Sequence, residues 1–170
     1  PDDAEAYYAL GQACVRRGEA ARGRELLHYF QLLQDNHQAL LDHKTAIVLN
    51  PSDAEAYYNL GAVYSRIERH EAARQAYAAA LQLNPRHRDA LNNLGNIYLR
   101  RGQVETAIGA YQQVIGIDPQ YARAYNNLGN AYLLAGPPGL AIAAFEKAIQ
   151  LDPRYARPHA SLAQLYQQQG

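Results

Sequence analysis

Residues 119–152 read PQYARAYNNLGNAYLLAGPPGLAIAAFEKAIQLD. Tyr125, Leu128 and Tyr132 are spaced by three and four, so a helix sets them on one face. Gly136 predicts the end of that helix, because glycine accepts the left-handed backbone of a helix C-terminus. Pro137 and Pro138 predict the opening of a second helix, where a missing N–H costs nothing. Gly129, Ala141 and Ala148 are small where bulk would hold two helices apart, and Phe145 fills the gap they leave. Asp152-Pro153 closes the second helix, since proline biases its predecessor away from helical geometry. The stretch is a predicted helical hairpin with a stop at each end.

The hairpin recurs. Prolines stand at 51, 85, 119 and 153, each 34 residues from the next. A fixed period of this size predicts a stacked solenoid in which no unit buries its apolar face alone. Its markers are Tyr57, Leu60-Gly61, Tyr64, Ala73, Tyr77 and Pro85 in one unit. The next has Leu91, Leu94-Gly95, Tyr98, Ala107, Tyr111 and Pro119, and the third has Tyr125, Leu128-Gly129, Tyr132, Ala141, Phe145 and Pro153. This series resembles the tetratricopeptide repeat family. The resemblance implies an all-α fold, a right-handed superhelical solenoid of helix-turn-helix repeats, with residues 1–170 as a single array. Regular repeats are expected at 51–84, 85–118 and 119–152. Val114 replaces the small Ala80 and Ala148 and is expected to push its helix slightly outward.

Residues 153–170 supply a terminal capping helix, in which Leu162, Ala163 and Tyr166 keep the phase and Pro158 falls in the first turn. Gln164, Gln167, Gln168 and Gln169 make it polar, as a solenoid end requires. A truncated longer array would read the same way, and Pro1, already in phase, reads as the start of an excised segment.

Residues 1–50 form an irregular first repeat. Tyr7, Leu10-Gly11, Cys14 and Gly18 resemble a first helix and its stop, but Pro1 to Pro51 spans 50 residues, 16 more than 34. Counted forward, Gly23, Leu27 and Phe30 take the second-helix places; counted back from Pro51, Ala39, His43 and Ala46 take them. The surplus is roughly Glu19–Gln34. Leu26, Phe30, Leu33, His37, Leu40, Lys44 and Ile47 alternate by four and three, widened by Leu27, Leu41 and Val48, and no Gly or Pro interrupts 24–50. This predicts one long helix over about 24–49, roughly 39 Å. The alternative is a break at Asp35-Asn36, with Asp35 as cap and Gln38 completing the box. Extra apolar surface must then be covered by the N-terminal helix or by another molecule, which makes a homo-oligomer through 24–49 an expectation. A charge at Leu33 is expected to loosen the N-terminal segment alone.

Sixteen basic residues balance 16 acidic ones, which points to neither nucleic acid nor an anionic membrane. The pentatricopeptide RNA binders fit poorly, because their period is 35. No apolar run approaches the ~18 residues of a membrane span, so no membrane insertion is expected. Cys14 has no disulfide partner in the chain and reads as a small core residue; its solitude fits a reducing compartment such as the cytoplasm. His37 and His43 are six apart, no metal-ligand spacing exists, and Gly136–Gly139 lacks the Lys-Ser/Thr of a phosphate loop. Glu5, Glu55 and Asp89 read as solvated surface. No catalytic residue, metal or cofactor is expected, and the chain does not read as an enzyme.

The asparagines stand out. Asn59, Asn93 and Asn127 precede each Leu-Gly pair, with Asn92 and Asn126 before two of them and Asn96 and Asn130 after the glycine. Asparagine is a mediocre helix former, so its mid-helix repetition implies an offsetting role. The resemblance implies that first helices line a concave groove. There a carboxamide can pair with a peptide backbone whatever its side chains, as in arrays like that of the O-linked N-acetylglucosamine transferase. Tyr58, Leu99, Leu133, Arg100 and Arg123 are expected at the groove's border. The competing reading is hydrogen bonding between repeats. Of the family's clamp for acidic chaperone C-termini only Asn96, Asn127 and Arg157 match; its lysine places hold Asn92 and Arg157. The expected function is a scaffold or adaptor binding a protein partner, as an extended peptide or a helix. A self-assembling module and the substrate-docking array of a larger enzyme are the rivals. Alanine at Asn59, Asn93 and Asn127 is expected to weaken binding and leave stability unchanged or raised.

Overall fold

A computed structural model describes residues 4–136 and 138–169. Pro1 with its repeat phase, Pro137 with its helix-opening role and Gly170 lie outside the described residues, as do the side chains of Gln168 and Gln169. The described residues form nine α-helices and no strand. They divide into two compact units, the first ending at Leu83 and the second beginning at Asn84.

The first unit holds α1 (Ala4–Arg16), α2 (Ala20–Leu49), α3 (Ala54–Arg66) and α4 (His70–Leu83). In the regular hairpin α3–α4, a Cβ on Gly61 would stand 2.7 Å from Tyr77 Cδ1. Tyr77 is fully buried, so its ring occupies the space a side chain at 61 would need. The first hairpin copies this without an aromatic: a Cβ on Gly11 would stand 2.9 Å from Leu27 Cγ, and one on Gly23 2.5 Å from Val15 Cγ2. In this hairpin α1 therefore packs on α2 in the register counted forward, with Gly23 and Leu27 at the contact.

α2 is one helix of 30 residues, about 45 Å long, beginning at Ala20 rather than 24. Asp35-Asn36 does not break it. Asn36 is buried, donates to Leu32 O at 2.8 Å and accepts from Arg66 Nη1 at 2.9 Å. A mid-helix asparagine thus ties α2 to α3. A second tie runs from Arg69 Nε to the Tyr29 hydroxyl, at 3.1 Å. Leu33 and Leu40 share a core with Leu60, Val63, Ile67 and Ala76, against which Ala4 and Tyr7 pack. The seam at Leu33 is therefore closed by α1 and α3 together, and the long helix is no appendage. Farther along, Leu41, Val48 and Leu49 are exposed.

The second unit holds α5 (Arg88–Arg100), α6 (Val104–Ile117), α7 (Ala122–Ala135), α8 (Pro138–Leu151) and α9 (Ala156–Gln169). The ring-on-glycine contact returns twice, with Cβ positions at Gly95 and Gly129 each 2.6 Å from Cε1 of Tyr111 and Phe145. Val114 is fully buried, as Ala148 is. On α9 Leu162 and Leu165 are buried, whereas Ala163 and Tyr166 face solvent.

Each turn between hairpins has the same construction. Asn50, Asn84, Asp118 and Asp152 each accept, through the side chain, the backbone N–H two residues on, at 3.0–3.2 Å. The backbone carbonyls of the same four residues accept the N–H three residues on, at 3.0–3.2 Å, so side chain and backbone close each turn together. Within hairpins, Gly102 and Gly136 take positive φ after α5 and α7, and the corresponding place after α3 is Glu68, at φ 60°.

Candidate functional site

α5 and α7 carry most of the singled-out asparagines, and their side chains link the two helices. Asn126 Nδ2 donates to Asn127 Oδ1 at 3.2 Å, Asn127 Nδ2 donates to Asn92 Oδ1 at 3.0 Å, and Asn92 Nδ2 reaches Asn93 Oδ1 at 3.5 Å. The four amides run head to tail from α7 to α5. Asn92 and Asn126 are only 2% and 1% exposed. They stand in the packing between helices rather than on an open face, while Asn93 and Asn127 are half-buried. Asn126 Oδ1 is buried without a partner. Asn127 bonds the residue 35 positions before it, so the corresponding donor for Asn126 would come from 161, which is Ser161.

The other singled-out residues spread out. Asn96 Oδ1 accepts from the Tyr111 hydroxyl at 2.8 Å, so it fastens α5 to α6; burial pushes that phenol well above its ordinary pKa. Asn130 is half-buried on α7, and Arg100 is exposed at the end of α5. Arg123 lies 5.9 Å from the Tyr121 ring centroid. Tyr58 and Asn59 belong to the first unit, where the Tyr58 ring stands 5.9 Å from that of Tyr77. Tyr58 occupies the place that Asn92 and Asn126 hold in the second unit, so the amide chain has no counterpart on α3.

A polar cluster that the sequence reading missed joins the start of α5 to the α6–α7 turn. Arg88 Nη1 donates to Asp118 Oδ2 at 2.6 Å, and Nη2 to Asp89 Oδ2 at 3.2 Å. The Tyr121 hydroxyl donates to Asp89 Oδ1 at 2.8 Å, and the guanidinium lies 4.3 Å over the Tyr121 ring. Asp89, expected on a solvated face, is half-buried here. Burial opposes its ionisation, but the bonds from Tyr121 and Arg88 outweigh that and hold its carboxyl below the ordinary range. Arg88 and the Gln120 N–H do the same for Asp118, whose bond in turn raises Arg88. Burial, aided by the bond to Asp89, pushes the Tyr121 phenol up to about 12. One signal was available: Arg88 stands where the neighbouring repeats carry Ala54 and Ala122.

Among the described residues no group of three His, Cys, Asp or Glu side chains is placed to hold a metal, and no helix is long and apolar enough to cross a membrane.

A ring of each second helix seated on a glycine of the first, with an Asx-proline turn between hairpins, defines an all-α helical-repeat protein. Family profiles agree: one described as TPR repeat matches 30–67 and 95–136, and two described as tetratricopeptide repeat match 54–87 with 122–155, and 76–109. The chain belongs to the tetratricopeptide repeat family, an all-α solenoid class. It is similar to the crystal structure of MamA, with 31% identity over 92% of this chain and 82% of that one, at a TM-score of 0.61. It also resembles MamA 41-end from Desulfovibrio magneticus RS-1, at 27% identity, 94% and 81% coverage and a TM-score of 0.67. The first TPR of Spaghetti (RPAP3) bound to HSP90 peptide SRMEEVD shares the fold, at 18% identity, 67% and 90% coverage and a TM-score of 0.64. No curated protein sequence matches the chain.

Proposed function

We propose that this chain is a protein–protein interaction scaffold whose second unit holds an extended peptide or partner helix against α5 and α7. The observation that carries the reading is the pair of half-buried amides, Asn93 and Asn127, backed by buried Asn92 and Asn126. A carboxamide both donates and accepts, as a peptide unit does, so such a pair can read a backbone irrespective of its side chains. That a protein of the same fold carries a bound peptide supports the class of ligand. Asn59 on α3 is the sequence counterpart in the first unit.

The test starts from a randomised peptide library, from which a ligand is selected against the full chain. Asn59, Asn93 and Asn127 are then replaced by alanine. Each lost bond is worth about 0.5–1.5 kcal/mol, so the triple variant should bind roughly two orders of magnitude more weakly. Asn127 also bonds Asn92 across the helices, so loss of that bond should offset the gain in helix propensity that alanine brings there. Binding is therefore measured below the unfolding transition of every variant. Unchanged affinity in the folded triple variant would sink the reading.

A second reading is favoured by α2. Leu41, Val48 and Leu49 are 46%, 78% and 81% exposed at its C-terminal half, an apolar surface suited to pairing with another copy. Sedimentation equilibrium across a hundredfold concentration range tests it: a constant monomer mass removes the idea.

A further inference from the structure

We propose that Asn92 and Asn126 are positioning residues that lock the Asn127 carboxamide in one orientation and make Asn127 the principal peptide-reading group of the second unit. The inference rests on the peptide-holding reading above. Both amide atoms of Asn127 are engaged by buried neighbours: Oδ1 accepts from Asn126 and Nδ2 donates to Asn92. Turning the amide over would set two carbonyl oxygens against each other on the α5 side and two amino groups on the other. Asn92 Nδ2 in turn reaches Asn93 Oδ1 at 3.5 Å, a long and weak contact. With Asn92 and Asn126 excluded from water, these bonds act at low local dielectric, where they are stronger.

A locked carboxamide keeps one N–H and one lone pair in fixed directions. Those two match the C=O and N–H of a peptide, and their ordering is complete before a ligand arrives. On α3 the residue before Asn59 is Tyr58, which offers no amide to fix it. Asn59 and Asn127 hold the same repeat position, and Asn127 is the one of the two held between neighbouring carboxamides. The chain of amides also has a defined beginning, at the unpartnered Asn126 Oδ1, where the repeat places Ser161 rather than another carboxamide.

The test uses the full chain with ¹⁵N label and the library-selected peptide. Without peptide, Asn92→Leu should accelerate hydrogen exchange of the Asn127 side-chain amide at least several-fold; an unchanged rate overturns the lock. With peptide, Asn92→Leu should weaken binding roughly fivefold to tenfold, the loss of one hydrogen bond's worth. In an Asn127→Ala background it should add nothing, and an additive effect overturns the proposal. Asn126→Leu probes the other side and serves if Asn92→Leu does not fold. Should Asn127→Ala alone leave binding intact, Asn127 is not the principal peptide-reading group and this proposal fails, whereas the peptide-holding reading falls only if the triple variant also binds normally. Weak binding by Asn127→Ala beside normal binding by Asn92→Leu removes the positioning role only.

Discussion

Tyr111 and Gly95 are packed ring against backbone. A Cβ on Gly95 would stand 2.6 Å from Tyr111 Cε1, and the hydroxyl of the same ring donates to Asn96, one residue on, at 2.8 Å. The ring is held at both ends by the helix it packs on, so it cannot retreat cheaply. Gly95→Ala should therefore destabilise the second unit by about 1–3 kcal/mol, outweighing alanine's better helix propensity of about 1 kcal/mol. Gly116→Ala on α6 is the control, with no atom within 4 Å of its Cβ. There the propensity gain should emerge alone, and urea midpoints of the two variants should move in opposite directions.

Glu68 sits at φ 60°, where the following hairpins carry Gly102 and Gly136. A side chain in that conformation is strained, by about 1 kcal/mol. Glu68→Gly should relieve most of it and raise the stability of the first unit by roughly 0.5–1 kcal/mol, less what glycine adds to the unfolded chain's entropy. A lower urea midpoint would show that the Glu68 side chain contributes more than its backbone costs.

Asp89 and Asp118 both ionise below the ordinary carboxylate range in the folded chain. The unfolded chain therefore takes up those protons first. The stability they contribute is full above about pH 4 and is lost as pH falls through their folded values. Tyr121 works in the other direction: its phenol is raised to about 12, so its contribution is complete below the ordinary value of 10 and is lost as pH climbs through about 12. Urea midpoints at pH 7 and pH 3 should differ less for Asp118→Asn than for the parent, and an equal difference would remove the cluster from the acid response.

Leu33 is 4% exposed in a core shared by α2, α3 and α4. Leu33→Glu buries a charge without a partner and should cost about 3 kcal/mol or more. Hydrogen exchange should rise together across α2, α3 and α4. Loss of protection confined to residues before Asn50 would instead show the N-terminal hairpin to be a separable element.

The hairpins were legible because each one's evidence is local. Gly61, Gly95 and Gly129 precede Tyr77, Tyr111 and Phe145 by 16 residues each, and a short turn can only fold such a pair together. Asn36 was not legible: in a sequence it reads as a helix breaker, and its partner Arg66 lies 30 residues away. The asparagines were half legible. Their recurrence marked the right helices, but adjacent helical residues point about 100° apart. Burial of Asn92 and Asn126 against the half-burial of Asn93 and Asn127 therefore depends on how α7 settles beside α5, which repeat phase does not specify. Arg88 shows the same limit, since its partners come from the next turn and from a tyrosine 33 residues on.

The continuous α2 also sets an angle. Sixteen surplus residues turn a helix through about 1,600°, four whole turns and roughly 160° more. The hairpin contact at Gly23 and Leu27 and the contact with α3 through Leu33, Leu40 and Ile47 accordingly use different sides of one rod. In such a rod each residue added or removed between Leu27 and Leu33 would swing α1 about the α2 axis by about 100° and slide it by about 1.5 Å. Insertion of seven residues would come nearly full circle, off by about 20°, and push α1 out by roughly 10 Å. α2 is thus a spindle, and its length in residues fixes the bearing on which the N-terminal helix is mounted.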